Sequence, residues 1–188
     1  SLLYVPFLIS EHLLKLWLKK GLSLPSPYNY QFDEIAQSYV FTTDNGIEYK
    51  IAFILDYTFS AVSNIEIDDV YQLIIEKTSE IKEPLDRNVS ATTCAILSTF
   101  FDNKINTILY ICDDGDERAE VRFRKFNIWY TDSELKGTVT KVDNVIVSEN
   151  IAGSAKIYSS LLYHNENTNK ETILDIYHSI EQILNEKP

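Results

Sequence analysis

The feature that most constrains the fold is an Asn-Gly pair, Asn45-Gly46, with alternating apolar and polar residues on both sides. Aromatic residues occupy every second position in short stretches between 28 and 41, and apolar residues do so again from 47 to 53. Such runs on either side of Asn-Gly are the strongest short-range signal for a β-hairpin. A dense apolar run over 69–76 predicts a further strand. We therefore expect an antiparallel meander of about four strands over 28–78.

The second half of the chain has the spacing of alternating helices and strands. Asp86 is a favourable N-cap, and apolar residues recur about every 3.6 positions from Val89 to Phe101. The continuous apolar run over 107–112 predicts a strand that is covered on both faces. The other expected elements are a helix from Ala119 to Tyr130, strands near 138–148 and 155–163, and a helix over 170–185. The pattern predicts an α+β fold, a meander followed by α-β-α-β-β with additional terminal helices.

Residues 1–27 are expected to form a helix and a Pro linker outside a single domain at 28–188. Ser10 can cap the helix, and Pro25 and Pro27 favour an extended linker. The apolar residues on one face of this helix are Leu13, Leu14, Trp17 and Leu18. Because so short a helix is marginal alone, it must pack on its own domain or on another copy of the chain. We favour a homodimer through this helix, since exchange of a terminal element makes dimers readily.

Composition and charge exclude several classes of function. The 188 residues include 17 Lys and Arg against 28 Asp and Glu, a formal net charge of −11 that is unsuited to phosphate neutralisation in nucleic acids. Residues 1–30 carry +2, so the remainder carries −13. No apolar run reaches the roughly 20 residues of a membrane-spanning helix. Two cysteines cannot form a disulfide framework. We therefore expect a cytoplasmic protein that binds neither nucleic acid nor membrane.

The run ILYIC-DDG-DERA-EV-RFRKFNI joins the strand at 107–112 to the helix that follows it. Together with the order of elements from residue 28 onward, it resembles the GNAT family of N-acetyltransferases. In that likeness Asp116-Glu117-Arg118-Ala119 stands for the family's helix start, and 123–128 for the helix end. From Tyr30 onward the chain also resembles an uncharacterised bacterial family, common in Bacteroidota, with Tyr-x-Phe, Thr-Asp-Asn-Gly and Cys-Asp-x-x-Asp motifs. The resemblance implies a GNAT-like domain at 28–188.

The GNAT resemblance also implies a cofactor, acetyl-CoA or another acyl-CoA, bound at the N-terminus of the helix that begins near residue 87. The residues that the likeness assigns to the cofactor are Arg87, Asn88, Ser90 and Asp116. Glu76, at the end of the last meander strand, stands where the family commonly places a general base. The resemblance thus implies transfer of an acyl group to an amine.

Two departures from the GNAT pattern count against that chemistry. The family binds the CoA pyrophosphate with a glycine-containing loop, whereas 87–92 contain no glycine and Asp86 places a carboxylate where the anion would arrive. Phe123 stands where the family often has a tyrosine that protonates the leaving thiolate, and a phenyl ring cannot donate a proton. The alternative function is therefore a binding or accessory protein that has kept the fold and lost the reaction.

The acidic turn after the strand at 107–112 invites a metal-site hypothesis. Asp113, Asp114 and Asp116 could offer oxygen ligands to a divalent cation. Neighbouring Asp side chains diverge, however, and such turns are also what helix capping selects. We expect capping without a metal, and the two alternatives are contact to a ligand through the helix N-terminus and a metal site.

Overall fold

The computed structural model describes residues 25–79, 85–112, 117–150 and 153–185. They form one seven-stranded sheet with helices on both faces, in the strand order β1-β2-β3-β4-β5-β7-β6. The strands are β1 (Tyr30–Asp33), β2 (Ser38–Thr42), β3 (Glu48–Leu55), β4 (Val70–Lys77), β5 (Thr107–Cys112), β6 (Val139–Asn150) and β7 (Gly153–His164). The helices of the described residues are α1 (Thr58–Ser63), α2 (Arg87–Phe100), α3 (Ala119–Asp132) and α4 (Lys170–Asn185), and a 3-10 helix covers Glu134–Gly137. The predicted α+β class is confirmed.

The meander predicted around the Asn-Gly pair is present. Strands β1 to β4 pair antiparallel in sequence order. In the turn between β2 and β3, Gly46 N donates to Thr43 O at 2.8 Å and Thr43 N donates to Ile47 O at 2.9 Å. Gly46 has a left-handed φ of 74°, which glycine adopts without steric cost. Because this turn sets the register, the alternating residues of β2 and β3 point to consistent faces of the sheet.

The pairing of β4 with β5 is parallel and short. It covers only Val70–Thr107, Tyr71–Ile108 and Gln72–Leu109. Beyond these pairs β4 continues along β3 to Lys77, and β5 continues along β7 to Cys112. The sheet is therefore split into a β1–β4 part and a β5-β7-β6 part that separate toward the carboxyl ends of β4 and β5.

Each face of the sheet has its own apolar cluster. On the front face, the one contacted by α2 and α3, the cluster includes Ile51, Leu73, Ile96, Ile108, Phe126 and Leu162. On the back face, the one contacted by α1 and α4, it includes Phe59, Val70, Leu109, Leu161, Ile173 and Tyr177. The helices of the back face contact the β4–β7 side of the sheet, as these residues indicate. The fold thus depends on both faces of β4, β5 and β7 being buried.

The short helix α1 was missed by the sequence analysis. Its six residues are too few for apolar periodicity to be visible, and it ends at Asn64, whose φ of 56° is left-handed. The N-terminal helix predicted within residues 1–27 and the acidic cluster of Asp113, Asp114 and Asp116 lie outside the described residues. Among the residues described, no helix is both long and apolar enough to cross a membrane.

We predict that Phe59→Ala lowers the free energy of unfolding by about 3–5 kcal/mol. Phe59 is the one α1 side chain that is fully buried, and its removal leaves a cavity in the back-face cluster. Urea unfolding followed by circular dichroism measures the change. Tyr57→Ala is the control, since Tyr57 is exposed just before the same helix. A loss of similar size in both variants would contradict the assignment of Phe59 to the core.

Candidate functional site

The opening between β4 and β5 is the candidate site. It begins where pairing stops, after Gln72 and Leu109, and is flanked by residues 73–77 of β4 and 110–112 of β5. Helices α2 and α3 follow these two strands in the chain. In open sheets, ligands bind outside the carboxyl ends of strands where neighbouring connections diverge. The candidate site therefore consists of the ends of β4 and β5 and the starts of the two helices.

The N-terminus of α2 is capped by a carboxylate. Asp86 is extended, with φ −110° and ψ 110°, and its Oδ1 accepts a hydrogen bond from Asn88 N at 2.8 Å. Its Oδ2 accepts a second from Tyr28 Oη at 2.7 Å. Burial raises the pKa of Tyr28, and the hydrogen bond to Asp86 raises it further. Asp86 thus caps the helix and also fixes the segment that enters β1.

Three of the predicted cofactor residues take part in hydrogen bonds within the chain. Asn88 Oδ1 accepts from Ser26 N at 3.0 Å, and Ser90 Oγ donates to Arg87 O at 2.9 Å. Residues 25–28 run beside the first turns of α2, where Tyr28 N also donates to a threonine hydroxyl at 2.8 Å. Arg87 is exposed at the first position of α2. The structure therefore brings Arg87, Asn88 and Ser90 together, with Asn88 engaged by the entering segment.

Glu76 lies on the other face of the sheet. Leu73 and Ile75 belong to the front-face cluster with α2, so the side chain of Glu76 points to the back face by the alternation of the strand. There it is exposed and opposite Lys50 of β3. The structure does not bring Glu76 to the same face as Arg87 and Asn88, and Asp116 lies outside the described residues.

The front-facing residues of β5 and α3 form a packed aromatic group beside the opening. Tyr110 is buried, with its ring centroid 4.4 Å from that of Phe126. Burial raises the pKa of Tyr110, and the nearby Cys112 thiol raises it further, so the phenol stays protonated at neutral pH. Phe123 is buried with its ring 5.3 Å from that of Tyr158. Packing is thus what Phe123 contributes at this position.

A buried lysine was missed by the sequence analysis. The side chain of Lys141, on β6, is 3% exposed and donates to Asn127 Oδ1 of α3 and to Asp143 Oδ1. The ring of Phe123 lies 5.3 Å from its ammonium, and Ser160 Oγ donates to Asp143 Oδ1 at 2.7 Å. Burial lowers the pKa of Lys141, and Asp143 opposes that shift. A Lys-x-Asp pair on one strand face was the available signal, because residues two apart point the same way.

Neither cysteine is in a disulfide, and both thiols lie in packed surroundings. Cys112 is almost fully buried at the end of β5. Cys94 donates to Trp129 O at 3.6 Å, and burial raises the pKa of Cys94 to about 11. A thiol with so high a pKa is a poor nucleophile at neutral pH, since the thiolate is the reactive form. The packed surroundings therefore indicate a structural role for both cysteines.

Residues 85–179 match the family of unknown function DUF6169, which is half of the chain. The chain belongs to this family. The DUF6169 region begins beside the Asp86 cap and takes in α2, β5, α3, β6 and β7. Of the three motifs quoted for the uncharacterised bacterial family, only Cys-Asp-x-x-Asp falls inside it. No curated protein matches the chain.

We predict that Asp143→Asn lowers the free energy of unfolding at pH 7 by about 2 kcal/mol, discounted for the 40% exposure of Asp143. The variant leaves the Lys141 ammonium buried without its carboxylate, so the folded-state pKa of Lys141 falls further below its ordinary value of 10.5. The unfolded chain then binds more protons between those two pKa values. Stability rises with pH across that window, so the deficit against wild type shrinks toward pH 9.5.

Urea unfolding at pH 7 and pH 9.5 tests the Lys141 prediction. Glu120→Gln is the matched control, because it breaks the exposed Glu120–Arg124 pair and changes stability by at most about 0.5 kcal/mol. Equal deficits of Asp143→Asn at both pH values would show that the buried ammonium is not the cause.

Proposed function

We propose that this DUF6169 chain is a GNAT-like protein that binds its ligand or partner at the opening between β4 and β5 and transfers no acyl group. The strand order and the alternation of α2, β5, α3, β6 and β7 support the GNAT-like part of the proposal. The separation of β4 from β5 beyond Gln72 and Leu109 supports the location. Fold likeness alone does not determine function, because the chemistry depends on the side chains at the site.

The observation that carries the proposal is the Asp86 carboxylate at the N-terminus of α2. A CoA pyrophosphate would need the free N–H groups and the positive end of that helix. Asp86 already accepts from Asn88 N and supplies its own negative charge there, while Tyr28 holds its second oxygen. A pyrophosphate at this position would have to displace or repel a carboxylate. The same bond that stabilises α2 therefore disfavours an ordinary acyl-CoA site.

The residues expected to perform acyl transfer are also poorly arranged. Glu76 points to the back face, away from α2, and a general base must come within hydrogen-bond reach of the proton that it removes. Phe123 has no proton to donate to a thiolate. These two positions support a binding or accessory role over catalysis.

The second candidate is an acyl-CoA-dependent N-acyltransferase that uses acetyl-CoA or another acyl-CoA. One observation favours it, the exposed Arg87 at the start of α2. A guanidinium there suits an anionic ligand. In this alternative Glu76 is the general base, although it would have to act from the back face of the sheet, and Asn88, Ser90 and Asp116 assist cofactor binding.

We also infer that the protein is cytoplasmic and bacterial. The absence of a disulfide between Cys94 and Cys112 supports a reducing compartment, because secreted domains tend to pair their thiols. The bacterial assignment rests on the family resemblance of the sequence.

We predict that acetyl-CoA at 1 mM leaves the melting temperature of the wild-type chain unchanged. A ligand present at 100 times its dissociation constant would stabilise by about 2.7 kcal/mol, which corresponds to about 5–10 °C for a chain of this length. Asp86→Ser keeps a capping oxygen and removes the charge, so we expect a positive shift with acetyl-CoA in that variant alone. Differential scanning fluorimetry measures both proteins.

A parallel assay of CoA release in the presence of amines separates the two candidates. The acyltransferase would replace the proposal if two results were found together. Acetyl-CoA would have to stabilise the wild type, and amine-dependent CoA release by the wild type would have to be lost in Glu76→Gln. Stabilisation without release would make acyl-CoA a bound ligand of a non-catalytic protein.

A further inference from the structure

Half-exposed aromatic side chains line the front face beside α2, at the β1 edge of the sheet. We call this group the aromatic strip, and its members are Tyr30, Phe32, Tyr39, Phe53 and Phe100. The ring of Tyr39 contacts those of Tyr30, Phe32 and Phe53, with centroids 5.0 Å apart for Phe32 and Tyr39. The centroids of Phe53 and Phe100 are 3.9 Å apart. Phe32 is 46% exposed although its ring packs against Tyr39. Contiguous apolar surface of this kind on a monomer usually receives a partner.

The helix α2 reaches the strip through its own Phe100, which stacks on Phe53. It is too narrow to cover Tyr30, Phe32 and Tyr39 as well. A helix with its side chains is about 10 Å across, which spans about two strands at 4.8 Å spacing. The front-face cluster shows that α2 packs over the centre of the sheet, through Val89, Ile96 and Leu97. β1 and the outer side of β2 have no helix over them among the described residues. A second helix laid beside α2 would complete that layer.

The chain reaches the described structure on this same face. Ser26 N bonds to Asn88 of α2, and the ring of Tyr28 stacks on Phe41 of the front-face cluster at 6.1 Å. The described chain therefore begins on the front face, at the N-terminal end of α2. Residues 21–24 can span about 13 Å when extended. Tyr30, the first residue of the strip, is only two positions after Tyr28 in the chain.

The chemistry of residues 11–20 suits the strip. Leu13, Leu14, Trp17 and Leu18 recur at helical spacing, and a helix of ten residues is about 15 Å long. Residues 1–30 carry +2 against −13 for the rest of the chain. Lys19 and Lys20 come just before Pro25, near the end of the front face where the carboxylates of Asp44 and Asp86 act on Tyr28. Apolar surface and charge are both complementary.

We propose that residues 11–20 form a helix that lies on the aromatic strip of its own chain, with Trp17 against the rings. The tether at residues 21–24 gives this segment an effective concentration in the millimolar range, which favours its own strip over that of a second copy. The back face of β1–β4 is a poorer acceptor, because it presents Gln31, Glu48, Lys50 and Glu76 among its apolar residues.

The test uses the fluorescence of Trp17 in the full chain, in a Trp129→Phe background that leaves a single indole. We expect emission that is blue-shifted from that of the urea-unfolded chain and protected from acrylamide. Phe32→Ser should shift the emission to that of the unfolded chain and increase quenching several-fold. Ile54→Ser should change neither, since Ile54 is a similarly exposed residue, at 54%, on the back face of the same part of the sheet.

Two further measurements keep the proposal falsifiable. Leu14→Ser alters only the segment, so it should reproduce the red shift without unfolding the domain, and combining it with Phe32→Ser should add nothing. Light scattering should show a monomer at every concentration tested. The proposal is overturned if Trp17 in the background protein emits as in the unfolded chain, or if Phe32→Ser leaves the emission of a buried Trp17 unchanged. It is also overturned if Ile54→Ser shifts the emission, or if the chain forms a dimer that Leu14→Ser dissociates.

Discussion

Three parallel residue pairs between β4 and β5 hold the two parts of the sheet together, and the rest of the fold depends on them. They run from Val70–Thr107 to Gln72–Leu109. Because parallel neighbours need a crossover, the chain between them must cross one face, and α2 is that crossing. The back-face cluster is anchored on the same strands, through Val70 and Leu109. Beyond these pairs β4 stays paired with β3 and β5 stays paired with β7, so β4 and β5 separate and the sheet opens.

The opening offers a ligand site at the ends of β4 and β5, but the local charge determines which ligands bind there. Asp86 caps α2, holds Tyr28 and so fixes the segment from Pro25 to β1. A carboxylate that stabilises a helix N-terminus also occupies the position that favours anions. The stability of α2 and the affinity of its N-terminus for a pyrophosphate therefore oppose each other. We interpret Asp86 as a residue that stabilises α2 and holds the segment that enters β1, and that thereby disfavours the binding of a pyrophosphate.

Much of the fold could be predicted because its signals are local. The turn at Gly46, the N-cap at Asp86 and the apolar run of β5 each lie within a few residues of the structure that they determine. The face of the sheet to which Glu76 points could also have been predicted. Glu76 is an odd number of positions from Leu73 and Ile75, so its side chain points to the face opposite theirs. What could not be predicted depends on distant packing. Ser26 and Asn88 are 62 positions apart in the chain, and Lys141 is buried by α3 rather than by its own strand.

A crystal structure of the chain grown with millimolar CoA shows whether Asp86 excludes a pyrophosphate from the start of α2. We expect Asp86 still to accept hydrogen bonds from Asn88 N and Tyr28 Oη, with no phosphate density at the first turn of α2. Pyrophosphate oxygens bound to the N–H groups of residues 88–90, with Tyr28 displaced from Asp86, would contradict it.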